Sequence, residues 1–409
     1  MILEEIKENM KIAKDKICYY EDGKEYTYKT MYKYICNMNE FLKNNNPNKI
    51  PIMVYGNKKV YMKVAFLAAA FAGIPYIPID ETMPKKRVDS IIEQTSPKII
   101  IGNYKSSKTE NISINEIENI INKEKYKEIE KIEMKEDDIF YIIFTSGSTG
   151  EPKGVEITYS NLDSCINWLK KEANLRNDII LNQASFSFDL SVADLYLSLL
   201  NSSSQYILKK AMNQNLKEMY HDLQKSNATM AVFTPSFIEM LLIDKSFNEK
   251  LMPNLKKIIF CGEKLSNKTV SKLFERFEKL DIINCYGPTE CTFAVTSFHI
   301  VNKESIPEEI PIGYPKDDIR ILIQNNKQKE YKEKEIGEII ILGKSVAKGY
   351  VKNKTNKSFV EINGEKAYKT GDLGYIKNNV YYYYGRKDSQ VKYKGYRIEL
   401  KDIEKICIK

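Results

Sequence analysis

The sequence predicts an α/β protein: a large N-terminal domain of two α/β subdomains, a small β-rich subdomain, and the start of a truncated small C-terminal domain. Through roughly the first 300 residues, apolar runs rich in Ile, Val and Phe alternate with amphipathic segments. This alternation is typical of parallel sheets covered by helices. After about residue 305, strand-like runs follow one another directly. The 409 residues also exceed what one hydrophobic core normally organises.

Each element is predicted from its periodicity and length. The runs predicted to be buried strands are KIPIMVYG (49–56), PKIIIGN (97–103), DIFYIIFTS (138–146), TMAVFTPS (229–236) and KKIIFCG (256–262). The segments predicted to be helices are RVDSIIEQ (87–94), NLDSCINWLKKEA (161–173) and SFIEMLLID (236–244). The later strands are predicted at IRILIQ (319–324), EIGEIIILG (335–343) and NNVYYYYGR (378–386). The charged segment 124–138 is interpreted as a surface excursion between subdomains.

Composition excludes several classes of protein. The net charge of +8 does not indicate nucleic-acid binding, because basic and acidic residues are interleaved and arginines are few. The longest apolar run, residues 64–79, is broken by glycine and two prolines, so it predicts a buried helix leading into a strand and no membrane span. Seven cysteines without a CxxC pair, and no signal peptide at the start, predict a cytoplasmic protein with reduced thiols. With two histidines, we expect neither histidine metal sites nor histidine-centred catalysis.

A strand leads directly into the Gly- and hydroxyl-rich segment FTSGSTGEPKG (144–154). Its glycines allow successive backbone N–H groups to form an anion-binding nest, and Lys153 adds a positive charge suited to phosphate. The hydroxyl and glycine positions predicted to contact phosphate are Thr145, Ser146, Gly147, Ser148, Thr149 and Gly150. Pro152 stands where a Walker A loop needs glycine, so the segment predicts phosphate binding without a P-loop NTPase. The alternative is a plain surface loop.

A second cluster, NCYGPTECTFAVT (284–296), combines an aromatic ring, a tight turn and a carboxylate. Tyr286 offers a face for a base, and Gly287-Pro288 sets the turn. Thr289 and Glu290 then present a hydroxyl and a carboxylate together. Because a carboxylate near phosphates usually binds Mg²⁺, Glu290 is the predicted metal ligand. An ordinary turn is the alternative interpretation.

Two further polar positions suit a ribose. Asp372 lies on a Gly-flanked turn in YKTGDLGY, and Arg386 is one of only six arginines. A carboxylate accepts hydrogen bonds from ribose hydroxyls, and a guanidinium donates in a planar fork. Solvated surface charges are the alternative interpretation for both.

Together these clusters resemble the adenylate-forming (AMP-binding) superfamily, which includes acyl-CoA synthetases, luciferases and the adenylation domains of nonribosomal peptide synthetases. The chain looks most like the amino-acid-activating branch, above all the D-alanine–D-alanyl carrier protein ligases, and next the peptide-synthetase adenylation domains. The segments that carry the likeness are YTYKTM (26–31), AGIPYIPID (72–80), FTSGSTGEPKGV (144–155), FSFDLSVADLY (186–196), YGPTE (286–290), GEIIILGKSVAKGYV (337–351), YKTGDL (368–373) and GRKDSQVKYKGYRIEL (385–400).

The resemblance implies ATP and Mg²⁺ as cofactors and assigns roles to individual positions. Lys153, Thr289 and Glu290 would be catalytic, with Thr289 at the α-phosphate. The adenine and ribose would be bound by Gly262, Glu263, Asn284, Cys285, Tyr286, Gly287, Pro288, Asp372, Tyr383 and Arg386. Asp388 would be the hinge about which a small C-terminal domain rotates.

The resemblance also locates an acyl pocket. Asp189 matches the carboxylate that pairs with a substrate α-ammonium, and an Asp in an apolar run is costly to bury without such a cation. A helix N-cap is the alternative role for this residue. The remaining wall is predicted from Leu190, Ala193, Phe233, Ile259, Cys261, Cys285, Phe293 and Ala294. Cys261 matches a cysteine that favours the D enantiomer, and a small buried hydrophobic residue is its alternative interpretation.

The resemblance predicts residues 1–388 as the adenylation core, with the β-rich subdomain at about 305–388, and 389–409 as the beginning of the truncated domain. The family's catalytic lysine lies roughly a hundred residues past the hinge, so no lysine in 389–409 is assigned that role. We expect ATP-dependent activation of a small amino acid, D-alanine foremost, and transfer to a carrier protein's phosphopantetheine thiol. The alternatives are a peptide-synthetase adenylation domain for another small amino acid, such as L-alanine or β-alanine, and a non-catalytic protein that binds nucleotide or aminoacyl-adenylate.

Overall fold

The computed structural model describes residues 1–145, 151–208, 216–324, 335–352, 357–388, 390–393 and 396–399. The helices are α1 (Ile2–Ile12), α2 (Tyr28–Asn45), α3 (Val60–Phe71), α4 (Lys85–Thr95), α5 (Ile114–Ile121), α6 (Tyr159–Ala173), α7 (Leu190–Leu200), α8 (Leu216–Ser226), α9 (Pro235–Leu241) and α10 (Asn267–Phe274).

The first strands are β1 (Ile17–Glu21), β2 (Lys24–Thr27), β3 (Ile52–Gly56), β4 (Tyr76–Asp80), β5 (Ile99–Ile101), β6 (Glu110–Ile112), β7 (Ile139–Thr145), β8 (Lys153–Thr158), β9 (Ile179–Asn182), β10 (Ser204–Ile207), β11 (Met230–Phe233) and β12 (Lys257–Phe260). They are followed by β13 (Asp281–Tyr286), β14 (Thr296–Ile300), β15 (Tyr314–Pro315), β16 (Ile319–Gln324), β17 (Gly337–Gly343), β18 (Gly349–Tyr350), β19 (Phe359–Ile362), β20 (Glu365–Lys377), β21 (Val380–Arg386), β22 (Gln390–Tyr393) and β23 (Tyr396–Glu399).

The largest sheet among the described residues has the strand order β15-β14-β13-β12-β11-β9-β10-β1-β2. Its central strands, from β13 to β1, pair in parallel, and antiparallel strands close both edges. Apolar strands of this kind are buried on both faces by helices, as the alternating sequence pattern predicts. The carboxyl ends of the parallel strands therefore meet along one rim, where ligand sites of open α/β sheets form.

A second sheet has the order β18-β8-β7-β4-β3-β5-β6. Strands β7, β4, β3, β5 and β6 pair in parallel, while β8 returns antiparallel after the segment 146–150. The long apolar run predicted as a helix leading into a strand forms α3 and β4. The two sheets share one large hydrophobic core that includes most of α3 and α7.

The β-rich subdomain is a separate antiparallel sheet of β16, β17, β20 and β19, with β21 paired to β20. Strands β22 and β23 form a two-stranded hairpin beyond it. The predicted fold class, two α/β units with parallel sheets and a smaller β-rich unit, is confirmed. The domain boundaries at 305 and 388 stay predictions.

The charged segment 124–138 is more firmly attached than its composition suggests. Its charged side chains face solvent, but Ile129, Ile132 and Met134 are buried against the large core. Glu133 also forms ion pairs with Lys43 and Lys49 on the α2 side. The apolar residues between the charges therefore pin the segment to the core.

Two general properties follow for the described residues. No disulfide joins the six cysteines that lie in the described part of the chain, and all six are buried. None of the helices described in this structure is both long enough and apolar enough to cross a membrane.

Candidate functional site

A cleft lies where the carboxyl rim of the largest sheet meets the β-rich unit. The cleft is open to solvent, and its empty space, counted with the solvent at its mouth, is about 600 Å³. Its lining comes from the start of α7, the turns after β12 and β13, and strands β20, β21 and β22. The lining residues are Phe188, Asp189, Leu190, Cys261, Gly262, Gly287, Pro288, Thr289, Phe293, Thr370, Asp372, Arg386 and Gln390.

The predicted ribose-binding pair is assembled by direct cross-strand pairing. Asp372 on β20 stands opposite Arg386 on β21. Arg386 Nη1 donates to Asp372 Oδ1 at 2.7 Å, and Tyr286 Oη donates to Asp372 Oδ2 at 2.7 Å. Asp372 is 4% exposed, so its charge is held by these two donors rather than by water. The carboxylate is thus fixed in one orientation at the edge of the cleft.

Arg386 also holds the predicted hinge. Its Nε and Nη2 atoms donate to Asp388 Oδ1 and Oδ2 at 2.8 and 2.7 Å, a two-pronged pair. Burial opposes the charge of Arg386, but the hydrogen bonds and charge of Asp388, together with Asp372, outweigh it and raise the pKa of the guanidinium. One arginine therefore connects the ribose-type carboxylate with the hinge carboxylate.

Two tyrosines complete this side of the cleft. The rings of Tyr286 and Tyr383 lie 6.4 Å apart between centroids, tilted by 42°. Burial and the charge of Asp372 raise the pKa of Tyr286 well above its usual value, and they raise that of Tyr383 to about 12. Both phenols thus stay protonated at neutral pH.

Two glycines make room for this arrangement. Gly371 has φ +73°, and an added Cβ would lie 2.9 Å from Arg386 Nη2. At Gly287 an added Cβ would lie 2.6 Å from the Cα of Ala294 and 2.7 Å from the carbonyl oxygen of Phe293. The turn after β13 can therefore pack closely only with glycine at this position.

The predicted phosphate segment is described at its two ends. Thr145 ends β7 and Lys153 begins β8, and the two are paired across the strands. Thr145 Oγ1 is buried and lacks a hydrogen-bond partner within the residues described here. Its hydroxyl is therefore a hydrogen-bond donor without a described acceptor, directly before the segment 146–150. The predicted contacts of Ser146, Gly147, Ser148, Thr149 and Gly150 lie outside the described residues.

The side chain of Tyr350 contacts both Lys153 and Glu290. Glu290, in a 3₁₀ turn after β13, is fully buried, and its Oε1 accepts a hydrogen bond of 2.6 Å from Tyr350 Oη. The ammonium of Lys153 lies 5.7 Å from the centre of the same tyrosine ring, a cation–π contact. A cation and a carboxylate are thereby joined beside Thr289.

The surroundings of Glu290 fit the predicted Mg²⁺ in chemistry. No group of three or more His, Cys, Asp or Glu side chains suited to a metal occurs in the described portion of the chain. Mg²⁺ bound with a nucleotide needs only one or two carboxylates, because phosphates and water supply the other ligands. Glu290 supplies one such carboxylate, but it is fully buried and is not among the residues that line the cleft, so its role as a Mg²⁺ ligand stays a prediction.

Several residues predicted to bind adenine have other partners in this structure. Gly262 lines the cleft with φ +98°. The Glu263 carboxylate accepts from the backbone N–H of Ser236 at the start of α9, and Asn284 Nδ2 donates to the carbonyl of Pro311. Cys285 is buried behind the rim. A role for Glu263, Asn284 and Cys285 at adenine therefore stays a prediction.

The acyl side of the cleft is formed by the start of α7. Asp189 occupies the N-cap position of α7, but its side chain makes no capping hydrogen bond. The alternative interpretation, a simple helix cap, is therefore not what the side chain does here. Asp189 instead lines the cleft together with Leu190 and the neighbouring Phe188.

Phe293 also lines the cleft, and its backbone conformation is unusual. It is buried with φ +69°, and Thr292 before it has φ +57°. Left-handed backbone at bulky residues is costly and persists where the surrounding structure enforces it. Cys261 lies against this turn, with Sγ 3.6 Å from the carbonyl oxygen of Phe293. The two side chains limit the space available beside Asp189.

The other predicted wall residues are buried outside the lining. Ala193, Ile259, Cys285 and Ala294 belong to the same core cluster as Leu190 and Cys261. Phe233 differs, because it packs against Phe237 in another cluster, on the opposite face of the sheet. The structure does not bring Phe233 to the pocket.

Sequence reasoning missed four residues of the site. Phe188 and Gln390 lie within quoted motifs but were assigned no role, and Gln390 Oε1 is buried without a described hydrogen-bond partner. The Thr370 hydroxyl donates to the carbonyl of Ile339 and accepts a hydrogen bond from the backbone N–H of Asp372. Tyr350, in AKGYV, orients Glu290. Of these four residues, only Tyr350 could have been singled out from the sequence, because it is the one aromatic residue in AKGYV and follows a glycine.

Comparisons with known proteins were made for the whole chain. The model of the AMP-binding enzyme family matches residues 6–351. A D-alanine–D-alanyl carrier protein ligase of Bacillus cytotoxicus is 44% identical over 365 residues, which is 87% of this chain and 72% of the relative. The ligase of the same description from Bacillus cereus (strain AH187) is 42% identical over 366 residues, covering 87% and 73%.

Solved structures show the same fold. Holo-PA1221, a nonribosomal peptide synthetase protein with adenylation and PCP domains bound to a vinylsulfonamide inhibitor, superposes with a TM-score of 0.86 at 21% identity, covering 99% of this chain and 71% of that one. The adenylation domain AlmE of Vibrio cholerae, in complex with glycyl-adenosine-5'-phosphate, gives 0.84 at 24%, covering 99% and 82%.

The chain therefore belongs to the AMP-binding enzyme family. The family predicted from the motifs, in its amino-acid-activating branch, is confirmed by these relatives. The relatives named as ligases, within this family of AMP-binding enzymes, confirm the predicted enzyme class, a ligase.

Proposed function

We propose that this protein uses ATP to activate a small amino acid, D-alanine foremost, as an aminoacyl-adenylate and transfers it to the phosphopantetheine thiol of a carrier protein. The observation that carries the proposal is one cleft whose lining includes Asp189 as well as Asp372 and Arg386. An ammonium-binding carboxylate and a ribose-binding pair in one cleft match the two ends of an aminoacyl-adenylate.

The chemical difficulty of the first step is electrostatic. The substrate carboxylate must attack the α-phosphate, so two anions approach each other while pyrophosphate leaves. Fixed donors and cations at the reacting atoms reduce this cost most effectively. Thr289 on the cleft wall would donate to the α-phosphate, and Lys153 would balance charge on the departing pyrophosphate.

Mg²⁺ held by Glu290 would neutralise phosphate charge when bound. Tyr350 fixes the orientation of Glu290 through its hydrogen bond. Thr145 Oγ1, buried without a described partner at the edge of the phosphate segment, would donate to a phosphate oxygen. Asp372 and Arg386 would hold the ribose hydroxyls and so place the α-phosphate near Thr289.

The acyl pocket favours a short side chain. Asp189 would bind the α-ammonium, and the apolar side chains of Leu190, Cys261 and Phe293 line the same cleft. The relatives named D-alanine–D-alanyl carrier protein ligase make D-alanine the first substrate to test. We further propose a cytoplasmic location, where ATP and reduced thiols coexist.

A pyrophosphate exchange panel tests the proposal. D-alanine, L-alanine, glycine, serine, β-alanine and phenylalanine are offered with ATP, and exchange of labelled pyrophosphate into ATP is measured. We expect alanine-type substrates to give the fastest amino-acid-dependent exchange, with D-alanine first, because a larger side chain would meet Phe293. Faster exchange with phenylalanine, or with an acid that has no amine, would refute the proposed substrate.

A further inference from the structure

The segment between β9 and α7, residues 183–189, carries Phe188 and Asp189 into the cleft. It follows a strand of the largest sheet, yet a residue of the second sheet holds it in place. Ser185 Oγ donates to Asp80 Oδ2 at 2.6 Å. Asp80 is the last residue of β4 in the second sheet, and a hydroxyl bonded to a carboxylate is a short, strong contact. The position of the segment therefore depends on a residue outside its own sheet.

The side chain of Asp80 is held in place by Thr82 as well. Its other oxygen, Oδ1, accepts from the backbone N–H of Thr82 at 2.9 Å and from the Thr82 hydroxyl at 2.6 Å. The residue is 7% exposed. A buried carboxylate with donors on both oxygens has little rotational freedom. Asp80 thus acts as a rigid anchor for Ser185.

A second side chain holds the start of the same segment. Lys58 follows β3, the strand beside β4, and Gly56 pairs with Asp80 in the register. The buried Lys58 Nζ donates to the carbonyl of Gln183 at 3.0 Å and to that of Leu208 at 2.6 Å. The two anchors therefore come from the carboxyl ends of neighbouring parallel strands.

The turn transmits the position of Ser185 to Asp189. The backbone N–H of Phe188 donates to the carbonyl of Ser185 at 3.0 Å, and Ser187 contacts the Ser185 hydroxyl with both its N–H and its Oγ. Asp189 directly follows Phe188 in the chain. Displacing Ser185 would therefore displace Phe188 and Asp189 together.

We propose that Asp80, through Ser185, and Lys58, through Gln183, are positioning residues that set the place of Asp189 and thus recognition of the substrate ammonium. The inference rests on the proposed function, because it assumes that Asp189 binds an amine. It also gives a role to Asp80, the last residue of the motif AGIPYIPID. Asp80 is not among the residues that line the cleft.

The test compares two ligands by calorimetry. D-alanyl-sulfamoyl-adenosine, a non-reactive mimic of the adenylate, needs both ends of the cleft, whereas ATP needs only the nucleotide end. Ser185→Ala and Asp80→Asn are each expected to weaken binding of the mimic on the order of tenfold while ATP affinity changes less than twofold. Ser185→Thr keeps the hydroxyl and should restore most of the affinity.

A double-mutant cycle separates positioning from general structure. If Ser185 acts through Asp189, Ser185→Ala should add no further loss in the Asp189→Asn background. Ser204→Ala is the matched control, since the Ser204 hydroxyl donates across strands to the carbonyl of Ile17, at the amino end of β10. It should leave both affinities unchanged.

Two outcomes would overturn the inference: equal weakening of ATP and mimic by Ser185→Ala, or a full additional loss in the Asp189→Asn background. Wild-type protein that binds ATP but gains no affinity from the D-alanyl group would instead refute the proposed function. The two failures are therefore distinguishable.

Discussion

Under the proposed function, Asp189 would determine which class of acid the cleft accepts. It stands at the N-cap of α7, where the helix dipole favours a negative charge, yet its side chain makes no capping bond. Fatty and aryl acids bring no ammonium to meet it, so the residue favours amino acids.

Asp189→Asn tests this role. The substitution keeps the size of the side chain and removes the charge, so an ammonium would lose its ion pair in a partly desolvated site. We expect kcat/KM for D-alanine in pyrophosphate exchange to fall on the order of 100-fold, with the KM for ATP unchanged.

Asp222→Asn provides the matched control. Asp222 is a buried carboxylate that accepts from Tyr206 Oη and takes no part in lining the cleft. It should leave the KM of D-alanine unaltered. An equal fall in activity for both variants would argue that charge loss acts through folding and not through the amine.

At the scale of elements, the pairing of β20 with β21 builds the part of the cleft that is proposed to bind the nucleotide. An irregularity in register between Leu373 and Gly374 brings Asp372 directly opposite Arg386. The fork of Arg386 then spans from Asp372 to Asp388, so one side chain links the sheet to the predicted hinge. A ligand that competes for Arg386 would loosen its hold on Asp388.

Arg386→Lys tests the need for the fork. Lysine keeps the charge but cannot donate to two carboxylates in the same plane. We expect ATP to bind roughly tenfold to a hundredfold more weakly, measured by calorimetry. Arg320→Lys is the control, because Arg320 forms an exposed ion pair with Glu365 on the same sheet. Equal ATP affinity in wild type and Arg386→Lys would remove Arg386 from the nucleotide site.

Periodicity predicted the strands and helices well because each is a local pattern. The apolar runs at β3, β7, β11 and β12 all became strands, and the amphipathic segments became helices. The face on which a residue lies was harder to predict. Strand β11 is apolar throughout, so its sequence lacks the alternation that would tell one face from the other. Phe233 was therefore placed in the pocket wall, whereas it packs on the far side.

The site was predicted where a motif carries its chemistry in consecutive residues. Contacts between distant elements left no local pattern to detect. Tyr350 meets Glu290 across 60 residues, and Ser185 meets Asp80 across 105. These partners are brought together only by the order of strands in the sheets, which periodicity does not specify.

At the scale of the whole molecule, two buried ionisable side chains, Lys63 and Asp194, lie on core helices and do not line the cleft. Lys63 on α3 lies over the ring of Tyr19 at 3.3 Å, and Asp194 on α7 accepts from Asn182 and Gln205. Burial lowers the pKa of Lys63 to about 7, although the charges of Cys18, Asp194 and Glu21 act to raise it. Burial likewise raises the pKa of Asp194 to about 7.

This pair should make stability depend on pH. Between about pH 7 and 10.5 the unfolded chain keeps the Lys63 proton that the folded protein releases, so stability rises with pH. Between about pH 3.8 and 7 the folded protein keeps the Asp194 proton that the unfolded chain releases, so stability falls as pH rises. The contribution of the pair is therefore least favourable near pH 7.

The double variant Lys63→Met, Asp194→Asn should raise the free energy of unfolding by about 1–4 kcal/mol at pH 7. The gain should shrink at pH 10 and at pH 5, because the penalties it removes are smaller there. Urea unfolding at the three pH values measures this. A gain that does not vary with pH would show that packing, and not charge, accounts for the difference.

The central claim is that one cleft holds both ends of an aminoacyl-adenylate, with Asp189 on the amine. The most direct measurement is the affinity of the protein for D-alanyl-sulfamoyl-adenosine against its propionyl counterpart, which lacks only the amino group. The account predicts that the D-alanyl compound binds on the order of 100-fold more tightly, and that this difference disappears in Asp189→Asn. Equal affinity for the two compounds in the wild-type protein would contradict it.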